Sequence, residues 1–346
     1  MVDRFPMKEI ALQAGVSLAT VDRVLNERPG VRATTHRRVH QAWAELQRQQ
    51  EQVGLKGRRV LIDLVMEAPL RFSRMVCGAL DAAMRRAQPA VFRAREHIAE
   101  SMDLAELLGV LDAIARRGSH GVLLKAPDAP AVTEAVQRLR AKGIPVVTLV
   151  TDLHEAPRLA YVGLDNRCAG QTAAYLVQQW LAGTPAHVLV SSSGQQFLGE
   201  GERIAAFREA LTAAQPECKV HVLHSGRGLH APTASAVGRL LARQPGLSAV
   251  YSVGGANAAI LEAFDKAQRG CRVFIGHDLD DDNLALLRAG RLSAVLHHDL
   301  QHDLHMACLL LLQAPASGAG LASAPAPIHS NVEVITPFNV PAAFTS

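Results

Sequence analysis

The chain has 346 residues, of which 49% are hydrophobic, 4% aromatic and 20% charged, with a formal net charge of +4 at pH 7. That length exceeds one ordinary domain and allows sizeable cores. No apolar run reaches the roughly 18 residues of a membrane span, and the charged start MVDRFPMKEIALQAG lacks a signal peptide's apolar stretch, so a cytoplasmic protein with no membrane partner is expected. Cys77, Cys168, Cys218, Cys271 and Cys308 are scattered and never form CxxC, which argues against a disulfide framework or a zinc knuckle. Charge is uneven. Residues 1–59 carry eleven Lys/Arg against six Asp/Glu, a local +5, while the rest sums to −1, as expected of a polyanion-binding module on a neutral body.

In chain order, a first helix is predicted from about Met7 to Ala14, with Ile10 and Ala11 facing inward. Gly15 stops it through a left-handed turn that a Cβ resists. Ser17 is placed to cap a second helix in which Val21 and Val24 or Leu25 face inward and Leu18, Ala19, Asp22 and Arg23 face out. A third helix, Thr35 to about Gln47, repeats Val39, Ala42, Trp43 and Leu46 on one face. The polar stretch RQQEQVGLKGRR (48–59) reads as a linker. Beyond it, apolar runs alternate with helical stretches: VLIDLVM (60–66), GVLLKA (121–126), IPVVTLV (144–150), AHVLVSS (186–192), KVHVLH (219–224), LSAVYSV (247–253), RVFIGHD (272–278) and LSAVLHH (292–298). Continuous rather than alternating apolar strands imply parallel sheets buried on both faces, and their number suits two doubly wound lobes with a cleft between them. The Pro/Ala/Gly/Ser-rich QAPASGAGLASAPAPI (313–328) is expected to be a connection. The predicted architecture is therefore α/β: a helix-turn-helix head over 1–48, a linker over 49–59 and a ligand-binding body over 60–346. Its first lobe is expected at about 60–157 and 280–312, and its second at about 158–279 and 319–346.

A helix, a glycine turn and a second helix with exposed N-terminal residues match the helix-turn-helix, whose second helix enters the major groove. Arg23 can fork onto a guanine, and the Ser17 and Thr20 hydroxyls at a helix N-terminus suit phosphates.

The stretch MKEIALQAGVSLATVDRVLNERPGVRATTHRRV (7–39) resembles, without gaps, the start of the lactose-repressor (LacI/GalR) family of bacterial transcription regulators. That resemblance places Leu18, Ala19 and Arg23 on base-reading positions and Ser17, Thr20, Asn26, Arg32 and Thr35 on backbone-contact positions. Two departures stand out. Asp22 occupies a place where Ser is common and would have to orient Arg23 or accept from a cytosine amine. The family's hinge pattern is missing, with Gly57 where a groove-wedging Leu would stand and Leu55 two residues early. The remainder resembles the family's effector domain, itself similar to periplasmic sugar-binding proteins, through YVGLDNRCAGQTAAYL (161–176), GERIAAFREAL (201–211), YSVGGANAAILEAF (251–264) and IGHDL (275–279).

Loops after strand C-termini at a two-lobe interface collect ligand groups, and a polyol needs paired donors and acceptors. Arg203, Asn257, Asp278 and His298 are fitting types, with Phe72 as a stacking face. The resemblance implies a cleft role for Arg203, four residues before an aromatic, for Asp278 after the IG strand, and for His298 where sugar binders often have Gln. Glu67 and Asp152 complete the candidate set. Other readings fare less well. His298, His302 and His305 could form a metal trio but lack the HExxH glutamate. GEGERI (199–204) has Ile204 where a dinucleotide loop needs its third glycine. DLDDDN (278–283) lacks the calcium loop's glycine and reads as a solvated helix start. The expected protein is a homodimer, or a higher oligomer, that binds a double-stranded DNA operator as a repressor under control of a sugar, sugar acid or cyclitol, with no enzyme activity, metal or cofactor. A solute-binding-protein-like sensor and a nucleotide-dependent α/β enzyme are the alternatives.

Overall fold

The computed structural model describes residues 5–55, 57–314 and 327–344. Contacts divide the chain into two units, one containing the residues up to Val60 together with Ala87–Val91 and the other the remainder.

The head consists of α1 (Met7–Ala14), α2 (Leu18–Leu25) and α3 (Ala33–Leu55). Its core joins Phe5, Ile10, Ala11 and Ala14 to Val21 and Val24 and to Val39 and Ala42, so the apolar stripe of each helix meets the other two. Gly15 takes φ +60° and ends α1. Here the Gly15 N–H donates to Leu12 O (3.2 Å) and the Val16 N–H to Ala11 O (3.0 Å). The Ser17 hydroxyl accepts from the Thr20 N–H at 3.2 Å and so caps α2. Arg38 Nη2 donates to Ala14 O at 2.7 Å, which ties α3 to the end of α1 and commits that guanidinium to the fold. The third helix departs from expectation. It begins at Ala33 and continues to Leu55, through most of the stretch expected to be a linker. A polar segment without a burial pattern still has good helix formers, and Gln, Glu and Arg need no core contact to extend a helix already nucleated.

The body holds two six-stranded sheets. In chain order its elements are β1 (Arg59–Glu67), α4 (Leu70–Arg86), β2 (Val91–Ala99), α5 (Leu104–Arg117), β3 (Val122–Lys125), α6 (Pro130–Ala141), β4 (Val146–Leu149), β5 (Ala160–Leu164), α7 (Asn166–Leu181), β6 (His187–Ser192), α8 (Leu198–Ala214), β7 (Lys219–His224), α9 (His230–Arg243), β8 (Leu247–Ser252), α10 (Asn257–Lys266), β9 (Val273–His277), α11 (Asp281–Arg288), β10 (Ala294–His297), α12 (Leu300–Gln313), β11 (Ile328–Ser330) and β12 (Glu333–Ile335). Strand order is β11-β5-β4-β3-β1-β2 in the first lobe and β12-β10-β9-β8-β6-β7 in the second. Pairings are parallel from β1 through β3, β4 and β5 to β11, and from β7 through β6, β8 and β9 to β10. The edge pair β10–β12 is antiparallel. Buried side chains cover both faces of the second sheet, with Phe207 stacked on Tyr251 at 4.7 Å on one side and Phe264 and Phe274 on the other.

Three crossings join the lobes: β5 to α7, β10 to α12 and β11 to β12. This corrects the expected boundaries. Strand β5 lies in the first sheet although it follows residue 158, and α11 and β10 stay in the second lobe although they follow residue 280. The apolar runs named above omit β5, and where they do mark a strand, as at β10, they carry no record of which sheet it joins, because pairing is a long-range contact. Strand β2 escaped the sequence pattern because it is a half-exposed edge strand with charges inside it, RAREH. Of the connection expected over 313–328, residues 315–326 lie outside the described residues. Among the described residues, no helix is long and apolar enough to cross a membrane.

Candidate functional site

In the head, α2 projects the residues singled out above, Leu18 and Ala19 from its first turn and Arg23 from its last. Leu18, Ala19 and Arg23 are exposed, and Leu18 keeps 52% of its surface. A large apolar side chain left bare beside an exposed guanidinium has no purpose in the head's own core, which Val21 and Val24 already fill. Ser17 Oγ and Thr20 Oγ1 lie 2.9 Å apart at the helix start, where backbone N–H groups and the helix dipole favour an anion. Arg32 is exposed before α3 and Thr35 is half-buried in its first turn. Asp22 does not orient Arg23. Its carboxylate accepts from Arg28 Nη1 (2.9 Å) and Asn26 Nδ2 (2.7 Å), closing the turn after α2. Asn26 is thereby held as a structural cap as well as being exposed.

In the body, one cavity of about 790 Å³, counting its mouth, lies at the C-terminal ends of strands from both sheets. The first lobe supplies Glu67 at the end of β1, Phe72 on α4, Lys125 at the end of β3 and Thr151 after β4. The second lobe supplies Glu200 and Arg203 on α8, Arg227 after β7 and Asp278 after β9. Of the seven sequence candidates, Glu67, Phe72, Arg203 and Asp278 therefore meet in one lining. Arg203 is only 4% exposed, and its Nε donates to Asn166 Oδ1 at 2.7 Å, which aims the guanidinium from below. Asp278 sits at φ +61° just past β9, and its Oδ1 has no hydrogen-bond partner among the described residues. A left-handed, non-glycine residue with an orphaned buried acceptor is a strained, under-satisfied position of the kind found at binding sites.

Three candidates lie elsewhere. Asp152 accepts from Thr148 Oγ1 at 2.7 Å and pairs with Arg158, so its carboxylate holds the loop after β4. Asn257 is buried at the start of α10 and donates to Asn283 Oδ1 at 2.7 Å. His298 is 1% exposed, with Nδ1 2.6 Å from Asp303 Oδ2, and its Nε2 stops 3.7 Å short of Asp278 Oδ1. It lies behind the cleft acid rather than in the cavity. All three follow strand ends in sequence, yet none lines the cavity: Asp152 is bound to Thr148 and Arg158, Asn257 through its Nδ2 to Asn283 and His298 through its Nδ1 to Asp303, while Asn257 Oδ1 and His298 Nε2 are left without a hydrogen-bond partner among the described residues.

Sequence reasoning missed Lys125, Glu200 and Arg227. Lys125 was legible as a lone charge ending the buried strand GVLLKA. Its Nζ donates to Glu67 O at 2.8 Å and lies 3.7 Å from the centre of the Phe197 ring. Burial pushes this ammonium down to about 8, against the pull of Glu200, Glu67 and Asp278. Burial likewise raises the Glu67 carboxyl, opposed by Lys125 and Arg227. Glu200 accepts from the Ser193 N–H (2.9 Å) and hydroxyl (2.7 Å), which orients it. DLDDDN is not a simple solvated start. Asp280 is 5% exposed, caps α11 through Asn283 N–H at 2.8 Å, and is pushed up to about 6, first by burial. GEGERI forms part of α8, so its glycines build no phosphate loop. His302 is exposed while His298 is buried, and among the described residues no group of three His, Cys, Asp or Glu is arranged to hold a metal ion.

Charged groups of both signs with two phenylalanine faces, set between two doubly wound lobes, define a two-lobed binding protein for a small polar ligand. Residues 72–314 match the periplasmic binding protein domain, and residues 6–47 match the bacterial regulatory proteins of the lacI family. The chain belongs to the periplasmic-binding-protein family and carries a lacI-family head. It is 34% identical over 173 residues to the HTH-type transcriptional regulator MalR of Streptomyces coelicolor, and the match spans 47% of either chain, about half of that relative's length. Among solved structures, the body resembles GanP, a glucose-galactose binding protein from Geobacillus stearothermophilus, with a TM-score of 0.71 at 19% identity over 82% of this chain and 99% of that one. It also resembles a solute-binding protein from Burkholderia graminis in complex with D-arabinose, with a TM-score of 0.70 at 21% identity over 82% and 97%.

Proposed function

We propose that the protein is a transcriptional repressor whose grip on a near-palindromic DNA operator is set by a sugar, sugar acid or cyclitol held between its lobes. Residues 1–48 are the DNA-binding unit and 49–59 join it to the body. The observation that carries this reading is the pairing of two unsatisfied surfaces in one chain. One is the exposed Leu18, Ala19 and Arg23 face of a capped helix, and the other is a cleft whose acid, Asp278, has an orphaned acceptor. One helix-turn-helix covers one half-site, so the active form is a homodimer. Ring hydroxyls would bond to Asp278, Glu67 and Arg203 while an apolar ring face lies on Phe72, and no step in this binding requires catalysis. The relatives named above, a transcriptional regulator and two sugar-binding proteins, support the two halves of the reading separately. The setting is the cytoplasm, where the operator is.

A thermal-shift screen with D-glucose, D-galactose, D-arabinose, D-glucuronate and myo-inositol tests the cleft. A true ligand at about 100 times its Kd stabilises by about 2.7 kcal/mol. Gel-shift competition between the protein's own promoter and random duplex tests the head. Equal affinity for both, with and without each sugar, would refute the regulator.

A further inference from the structure

We propose that Arg71 is a latch that holds the two lobes closed over the cleft by seating its guanidinium in a backbone notch of the opposite lobe. The residue lies on α4 of the first lobe. Its Nε is 3.0 Å from Asp280 Oδ2, and its Nη2 donates to Gly228 O at 3.1 Å, both groups belonging to the second lobe. The receiving carboxylate cannot swing away freely, because its other oxygen caps α11 through the Asn283 N–H. The notch itself is made of glycine. Gly255 has φ +79°, and a Cβ there would stand 2.5 Å from Arg71 Nη2; Gly228 has φ +69°, with Arg71 Nη2 at 3.6 Å from its own would-be Cβ. Both positions favour glycine by conformation, and at Gly255 the space that a side chain would fill holds a guanidinium from across the cleft.

A planar guanidinium can grip a carboxylate and a carbonyl at once, which an ammonium, a single point charge, does less well. The grip is shallow. Burial drives the Asp280 carboxyl upward by more than Arg71 pulls it down, so the pair recovers only part of what burying that charge costs. A shallow latch suits a switch, since a ligand must be able to shift the balance between open and closed with its own differential contacts. Arg71 also lines the cavity, so a bound polyol touches the same side chain that joins the lobes. The inference rests on the cleft reading only for what the latch closes over; the joint between the lobes stands without any ligand.

The test uses the full chain without ligand. Nitroxide labels are placed at exposed Gln137 on α6 and exposed Arg243 on α9, one on each lobe, through a keto amino acid that leaves the native thiols untouched, and their separation is read by pulsed electron resonance. Wild type should give a short, narrow distance distribution. R71A should give a longer and broader one, R71K an intermediate one, and G255A, which alters no charge but fills the notch and places a Cβ at φ +79°, should shift it in the same direction as R71A. In the double variant the G255A change should add nothing to R71A, because the group it displaces is gone. If R71A lowers the melting temperature so far that its fold is in question, G255A carries the test. Wild-type distances in both R71A and G255A would overturn the latch, whether or not any sugar binds. A shift in these distances with no sugar binding would uphold the latch and count against the sugar reading alone.

Discussion

Arg23 on α2 and Arg203 on α8 carry the same guanidinium to different ends. The first is exposed on a helix of eight residues, and the acid next to it in sequence, Asp22, is already taken by Arg28 and Asn26. The second is 4% exposed, aimed by Asn166, and surrounded by the charges of Lys125, Asp278 and Glu200. A head that meets its partner as a rigid surface needs little from its contact residues except display. A cleft that encloses its ligand needs every group fixed by another, so its residues serve structure and recognition together. Replacing the head's exposed Arg23 should therefore remove recognition without removing stability, and replacing the cleft's interlocked residues should remove both.

The largest effect expected from this contrast is at His298. Alanine there leaves the Asp303 carboxylate, 2% exposed, without its 2.6 Å partner and should cost about 3–5 kcal/mol in urea denaturation. A loss under about 1 kcal/mol would mean that the wall behind the cleft is not interlocked, since the mean single substitution costs that much. Next comes Arg203→Ala, which removes a charge-assisted hydrogen bond worth about 1.5–3 kcal/mol and should also abolish stabilisation by any sugar that protects wild type. Sugar protection equal to wild type would remove Arg203 from the site. Smaller again is Ser17→Ala in the head, where losing the α2 cap should cost about 1 kcal/mol and weaken operator and random DNA alike in a gel shift. Arg23→Ala should leave stability within about 0.5 kcal/mol of wild type. It should still lose about 1–3 kcal/mol of discrimination between operator and random duplex, and an unchanged preference in competition would deny Arg23 its place as a base reader.

The head was the more legible region because its function follows from contacts close in sequence. Gly15, Ser17 and the spacing of Val21 and Val24 set the turn, the cap and the buried stripe, and the exposed face is whatever remains. The end of α3 was not legible, since nothing in RQQEQV distinguishes a continuing helix from an open linker. In the cleft, Glu67 and Asp278 stand at or just after strand ends, Phe72 could be picked out by residue type and Arg203 by residue type together with the family resemblance. Asp152, Asn257 and His298 have the same credentials and are bound instead to Arg158, Asn283 and Asp303. Residue type and strand position select groups able to bind a ligand; the direction of each side chain is settled by neighbours that lie far away in the chain.

What the sequence by itself determined is the inventory: a cationic helical head, eight of the twelve strands of two doubly wound lobes, and a set of charged residues at the C-terminal ends of some of them. Only the tertiary structure decided which strands share a sheet, that β5 and β11 stay with the first lobe while β10 and β12 stay with the second, and that Lys125 and Arg71 enter the cleft. The reason is the range of the forces involved. Helix caps, glycine turns and apolar periodicity act over a few residues and are written locally, whereas strand pairing and the facing of charges across a cleft are chosen by packing among segments a hundred or more residues apart.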